Sequence, residues 1–245
     1  MHKFFTEEIE ENEALITGDD HKHLWKVLRL KAGDEVLIND LKGMDFLGRI
    51  ASIDKERTVV DLQRRIMENN ESHVTITLYQ GLPKSGKMDL IVQKNTELGV
   101  NRIVPVITER VIVKNSSEYK KMDRLRRIIL EASKQSKRSR IPEITEPCDF
   151  KDILPEMLSH DVLLVPYENA RKYGVSKLKL ELPFIRSCGI LIGPEGGFSE
   201  EEIGMLEESG AKIVTLGKRI LRTETAGFVS VAMVQLLYGD MGGED

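Results

Sequence analysis

From about residue 74 onward the chain repeats one rhythm: a short apolar run, a loop, then an amphipathic stretch. The apolar runs 74–80, 102–107, 162–166, 189–192 and 212–216 have the length of buried strands. Helical spacing follows through 86–98, 119–136, 200–208 and 225–238. Strands apolar on both faces and alternating with helices predict a parallel α/β sheet, with ligands at the C-terminal strand ends.

A polar stretch, Glu68-Asn69-Asn70-Glu71-Ser72, precedes this region. The texture before it differs. Short alternating segments at 35–38, 46–50 and 58–62 are separated by turn residues at 32–34 and 41–43, which predicts a small β-barrel. One helix is expected at about 20–30, with Leu24, Val27 and Leu28 facing inward. The expected domains are residues 1–70 and 73–245.

Composition limits the function. The 245 residues are 40% hydrophobic and carry a formal charge of −4, which excludes a globally basic nucleic-acid binder but not a local basic patch. Cys148 and Cys188 show neither zinc-ligand spacing nor a disulfide framework, so no metal and a reducing cytosol are expected. The start of the chain lacks the apolar core of a signal peptide, and no apolar run is long enough for a membrane span, so a soluble cytoplasmic protein with no membrane partner is expected.

Gly81-Leu82-Pro83-Lys84-Ser85-Gly86-Lys87 matches the first seven positions of a phosphate-binding P-loop. The eighth position should carry a hydroxyl for magnesium and instead holds Met88, and no later strand ends in a metal-binding Asp. A Gly/Pro turn entering a helix accounts for the segment better.

Two loops carry the chemistry. Gly193-Pro194-Glu195-Gly196-Gly197 follows an apolar strand, and Ser199 with Glu202 forms a capping-box signature for the next helix. Glu195 would repel a polyphosphate, so this loop suits a neutral or cationic cofactor such as an adenosine bearing a sulfonium. The second loop runs from Leu216 and Gly217 through Lys218, Arg219, Ile220 and Leu221 to Arg222, Thr223, Glu224, Thr225 and Ala226. An apolar helix follows, which Thr223 and Thr225 can cap. Arg222 and Glu224 form either a local ion pair or a pair aimed at substrate; the loop alone does not decide.

Residues 120–140 hold nine basic side chains against two acids, Asp123 and Glu131. With Met122, Leu125, Ile129 and Ala132 inward, the basic residues face out, either as a solvated surface or toward nucleic-acid phosphates. Trp25 suits core or interface packing better than stacking on a base.

GPEGGFSEEE and LGKRILRTETA, at this separation, resemble the ribosomal RNA small-subunit methyltransferase E family of the knotted SPOUT superfamily. Gln93–Gly99 is similar to its QKxTELG helix. Glu131-Ala132 with Gln135, Arg138 and 141–143 resembles its middle motif, and His23-Leu24 with 27–30 its barrel signature. The resemblance implies a PUA-like barrel followed by an α/β domain with a C-terminal trefoil knot. It also implies a homodimer and methyl transfer from S-adenosylmethionine to N3 of one uridine in 16S ribosomal RNA, free or within the small ribosomal subunit. The cofactor would sit against Gly193, Pro194, Glu195, Gly196, Gly197, Leu216, Gly217, Ile220, Leu221, Thr225 and Ala226. Arg222 would stabilise the developing anion, with Glu224 orienting it or relaying the proton. RNA contacts fall to Lys3, Lys26, Arg29, Lys94, Arg124, Arg127, Lys134 and Arg138. Lys3 stands where the family usually has Arg, which bears on those contacts rather than on cofactor binding. Two other readings stand beside this one: a knotted enzyme acting on transfer RNA, and a non-catalytic ribosome-assembly factor.

Overall fold

The computed structural model describes residues 1–67, 70–84, 86–111, 122–170 and 173–243. Of the residues singled out above, Glu68, Asn69, Ser85, Lys120 and Lys121 lie outside the described residues, as does the start of the helix expected at 119. The chain forms two compact units, Met1–Glu71 with Ser133–Ile141, and Ser72–Ala132 with Pro142–Asp245.

The first unit contains β1 (Lys3–Phe5), β2 (Ile9–Glu10), β3 (Glu13–Thr17), α1 (Gly18–Lys22), a π-helical turn (His23–Val27), β4 (Glu35–Asn39), β5 (Asp45–Ile53) and β6 (Arg57–Ile66). They make one six-stranded sheet in the order β1-β4-β5-β6-β3-β2, with β1 parallel to β4 and the other pairs antiparallel. Alternation along the strands puts Ala14, Ile16, Val36, Ile38, Ile50 and Val60 on the inner face, where they enclose Phe4 and Leu24. Register shifts at Leu47/Gly48 and Ile50/Ser52 let the long β5 bend. Gly48 permits the first of them, because a Cβ there would lie 2.4 Å from Val60 Cγ1.

The expected helix near residues 20–30 is present in altered form. Leu24 is fully buried, but Val27 is 65% exposed. The π-helical geometry explains the difference, since its wider turn rotates position 27 away from the face that Leu24 occupies. Trp25 is also 43% exposed, so of the core or interface packing expected for it, the structure corrects the core alternative.

Residues 133–141 are joined to this unit by polar contacts. The Lys3 ammonium lies 2.8 Å from Asp45 and donates to the Arg138 carbonyl at 3.0 Å. Asn39 donates to the Ser139 carbonyl, and Arg138 pairs with Glu71 at 2.6 Å.

The second unit contains β7 (Thr75–Gly81), α2 (Lys87–Glu97), β8 (Arg102–Ile107), α3 (Met122–Gln135, up to Ala132 in this unit), β9 (Glu143–Ile144), β10 (Cys148–Asp149) and α4 (Phe150–Met157). These are followed by β11 (Val162–Pro166), α5 (Leu178–Glu181), β12 (Ser187–Ile192), α6 (Glu200–Glu208), β13 (Lys212–Val214) and α7 (Thr223–Tyr238). Every strand pair is parallel, in the order β10-β8-β7-β12-β11-β13, with β9 beside β8. The continuous apolar runs of β11 and β12 are buried over Val162–Val165 and Cys188–Ile192. Tyr79, Val104, Val106, Leu163, Val165 and Leu191 pack against Phe150, Met157, Phe198 and Leu206 in the core. The small curled sheet and parallel α/β sheet match the expected fold class. Among the described residues no helix is long and apolar enough to cross a membrane.

Candidate active site

In a parallel sheet all C-terminal strand ends face one way, so the loops leaving neighbouring strands meet. Here the loops after β11, β12 and β13, with Lys87 at the start of α2, surround a cavity of about 510 Å³. That volume lies within the roughly 300–1,000 Å³ of small-molecule sites.

The glycine loop after β12 lines one side with Gly193, Pro194, Glu195, Gly196 and Gly197. Gly197 adopts a left-handed φ of +67°, and a Cβ there would approach Glu168 Oε1 to 3.2 Å. The capping box expected for α6 is present: Ser199 Oγ accepts from the Glu202 N–H, and Glu202 Oε2 accepts from the Ser199 N–H. The other Glu202 oxygen accepts from the Glu109 N–H at 2.9 Å, so one buried carboxylate ties the loop after β8 to this turn.

The loop after β13 lines the opposite side with Leu216, Gly217, Ile220, Leu221 and Arg222, and α7 adds Ala226. The structure thus brings most of the sequence-predicted cofactor residues around one cavity. Thr225 and Glu224 do not line it. Thr223 is not the helix cap expected from the sequence. The N-cap position is Arg222, whose guanidinium has no acceptor with which to cap, and the Thr223 hydroxyl donates to the Gly193 carbonyl at 2.6 Å. Gln80 Nε2 in turn donates to Thr223 Oγ1 at 2.9 Å. A buried chain of hydrogen bonds therefore joins β7, the start of α7 and the glycine loop.

Several cavity-wall residues were not assigned to the site by sequence reasoning, and three of them matter most. Tyr167 and Glu168 follow β11, and the apolar run ending at Pro166 was the signal that a ligand-facing loop begins there. The third is Lys87, at the start of α2. Its ammonium lies 3.0 Å from Glu195 Oε1 and 3.2 Å from Glu224 Oε2. Hydrogen bonding to Glu195 raises the lysine pKa above its ordinary value, so the group stays charged. Burial pushes the Glu195 carboxyl upward. Hydrogen bonds from its own backbone N–H, from Lys87 and from the Lys84 N–H outweigh that and hold it below the usual range.

The basic candidates divide by placement. In the first unit Lys26 and Arg29 are exposed, and Arg29 holds a left-handed φ of 54°. Lys134 pairs with Asp20 at 2.9 Å. Lys3 and Arg138 have side chains only 6% and 4% exposed and are engaged with Asp45 and Glu71, so their charges do not reach the surface of that unit. In the second unit Arg124 pairs with Asp89, Lys94 pairs with Glu97, and Arg127 is exposed. Among the described residues no His, Cys, Asp and Glu cluster suits a metal ion.

Comparison with known proteins gives this site a family. Residues 70–235 match the model of an RNA methyltransferase domain, and residues 16–63 match an RNA methyltransferase PUA domain. Ribosomal RNA small subunit methyltransferase E of Bacillus subtilis is 32% identical, covering 98% of this chain and all of the relative. The chain belongs to the ribosomal RNA small subunit methyltransferase E family. Its Aquifex aeolicus member is 35% identical over 95% of this chain and 99% of its own. The crystal structure of the Neisseria gonorrhoeae member bound to S-adenosyl methionine is similar at a TM-score of 0.84 and 32% identity, covering 98% of this chain and 99% of that one.

Proposed function

We propose that this chain transfers a methyl group from S-adenosylmethionine to N3 of one uridine in 16S ribosomal RNA. The observation that carries the proposal is the cavity itself, framed by the glycine loop and the loop after β13 in a member of this family. Its chemistry fits the cofactor. Backbone exposed at Gly193, Gly196, Gly197 and Gly217 can approach an adenosine, while Leu216, Ile220 and Leu221 offer apolar cover. Glu195 and Glu168 supply negative charge suited to a sulfonium and hostile to a polyphosphate.

When bound, S-adenosylmethionine supplies an electrophilic methyl group on a positively charged sulfur. Uridine N3 carries an imide proton that must leave as the N–C bond forms. Arg222 lines the cavity, and in this reading it stabilises negative charge developing on O2 and O4. Glu224, two residues along, orients the base or takes the proton toward solvent.

RNA is drawn to the exposed cations, Lys26 and Arg29 in the first unit and Arg127 in the second. Lys94, Arg124 and Lys134 can exchange their internal carboxylate partners for phosphate. Lys3 contributes by holding the carbonyls of Lys137 and Arg138, and Arg138 by pairing with Glu71, which accepts from the Ser139 and Arg140 N–H groups. The proposal includes a homodimer, with the exposed Leu236 of α7 as a candidate contact. The substrate places the protein in the cytoplasm.

The test is to map modified bases in ribosomal RNA from cells lacking the protein and to rescue with wild type, Arg222→Ala or Glu224→Gln. Loss of one N3-methyluridine in 16S RNA, restored by wild type alone, is the expected outcome. An unchanged modification map would refute the assignment.

A further inference from the structure

The turn that resembles a P-loop has no place in the chemistry above, yet it is built to hold an anion. The backbone N–H of Lys84 lies 3.2 Å from both carboxylate oxygens of Glu195. Three residues later, Lys87 sends its ammonium to the same carboxylate at 3.0 Å and to Glu224 at 3.2 Å. A lysine and a backbone amide are the groups with which such a turn holds phosphate. Here they are engaged by the chain's own carboxylates, one from the glycine loop and one from the first turn of α7.

We propose that Lys87 is a positioning residue of the methyl-transfer site, whose ammonium holds the glycine loop and the start of α7 together through Glu195 and Glu224. This inference rests on the methyltransferase reading of the cavity. The two acids come from segments about thirty residues apart and converge on one ammonium whose side chain is itself 30% exposed at the cavity wall. Without that charge, two like-charged, partly buried carboxylates would repel, and one would turn away or take up a proton. Turning Glu195 away shifts the loop that cradles the cofactor, and turning Glu224 away disturbs the segment that presents Arg222. Displacements of about 1 Å at a reacting centre can cost roughly 100-fold in rate. An uncommitted P-loop lysine would instead stand clear of carboxylates and await a polyphosphate.

The test compares wild type, Lys87→Met, Lys87→Arg, Glu224→Gln and the Lys87→Met/Glu224→Gln double variant. Single-turnover methylation of small-subunit RNA, S-adenosylmethionine affinity by calorimetry and Tm are measured for each. Lys87→Met is expected to fold and to lose about 10- to 100-fold in rate. Lys87→Arg, which keeps the charge, should recover part of that loss. Because the loss comes from repulsion between Glu195 and Glu224 once the ammonium is gone, and Glu224→Gln already removes that repulsion, adding Lys87→Met to Glu224→Gln should cost less than about threefold more. If Lys87→Met does not fold, Lys87→Gln is read in the same way. A wild-type rate in Lys87→Met, or full multiplicative loss in the double variant, would overturn the assignment while leaving the methyltransferase reading intact. Wild-type protein that binds the cofactor but methylates no RNA would instead overturn that reading, and the role of Lys87 with it.

Discussion

The hydroxyl of Thr223 donates to the Gly193 carbonyl at 2.6 Å, joining the first turn of α7 to the glycine loop across thirty residues of sequence. Its oxygen also accepts from Gln80 Nε2, which sits fully buried at the end of β7. One side chain thus links two segments that line the cavity, the glycine loop and α7, to β7 behind them.

Replacing Thr223 with Val keeps the shape and removes both bonds. The expected cost is about 1–3 kcal/mol, because a buried donor and a carbonyl lose their partner. Thr223→Ser should remain near wild type. Urea denaturation gives the stability, and calorimetry with S-adenosylmethionine should show several-fold weaker binding for Thr223→Val.

Glu195 makes this region sensitive to acid. Its carboxyl is held below the ordinary value, so the folded state favours the ionised form. That contribution is complete above the unfolded glutamate pKa of about 4.3 and is lost as pH falls through the lower folded value. The Tm difference between wild type and Glu195→Gln, followed from roughly pH 7 down to pH 3, should therefore be constant near neutrality and shrink in acid. A difference that grew in acid would reverse the sign and contradict the placement of Glu195 beside Lys87.

Lys3 is a stability residue of the first unit. It donates to Asp45, the Arg138 carbonyl and the Ser139 hydroxyl from a buried position. Lys3→Met leaves Asp45 without its cation, which typically costs about 3–5 kcal/mol. The melting transition should fall accordingly. Lys3→Met with Asp45→Asn should regain part of the loss, since the uncompensated charge is then gone.

Trp25 offers the opposite case, a large side chain whose removal should spare the fold. One face of its ring stacks near His21 at a centroid distance of 6.0 Å, and Lys26 lies beside it. Trp25→Ala should leave Tm nearly unchanged yet weaken RNA binding roughly tenfold, the scale of one lost base stack. Fluorescence anisotropy with a small-subunit RNA fragment reads this directly.

Much of this molecule is written locally. Runs such as 162–166 and 189–192 are apolar throughout because both faces of a parallel strand are buried, so their position and class were readable. The capping box at Ser199 and Glu202 was readable because both partners lie within one turn. The misses are non-local or depend on backbone geometry. Lys87 lies in a segment that reads best from sequence as a Gly/Pro turn entering a helix, and its partners are more than a hundred residues away, so no local spacing names them. Thr223 looked like a cap because that role needs only neighbours, whereas its true partner is Gly193. Val27 matched a helical face that the π-helical turn rotates outward. The strand β1 is three residues long and finds its place only through parallel pairing with β4, which no alternation in Lys3–Phe5 announces. The short α4 contains Pro155, a residue that argues against a helix because it cannot donate to the i−4 carbonyl, so no helix is legible there from sequence.

The central claim is that the cavity between the glycine loop and the loop after β13 delivers a methyl group to a ribosomal uridine. Purified protein, S-adenosylmethionine carrying an isotopically labelled methyl group, and small-subunit RNA or subunits lacking the modification test it most directly. Digestion to nucleosides and mass spectrometry should find the label in N3-methyluridine, at one equivalent per RNA. Label on a ribose, on another base or only on transfer RNA, or no transfer despite bound cofactor, would contradict it.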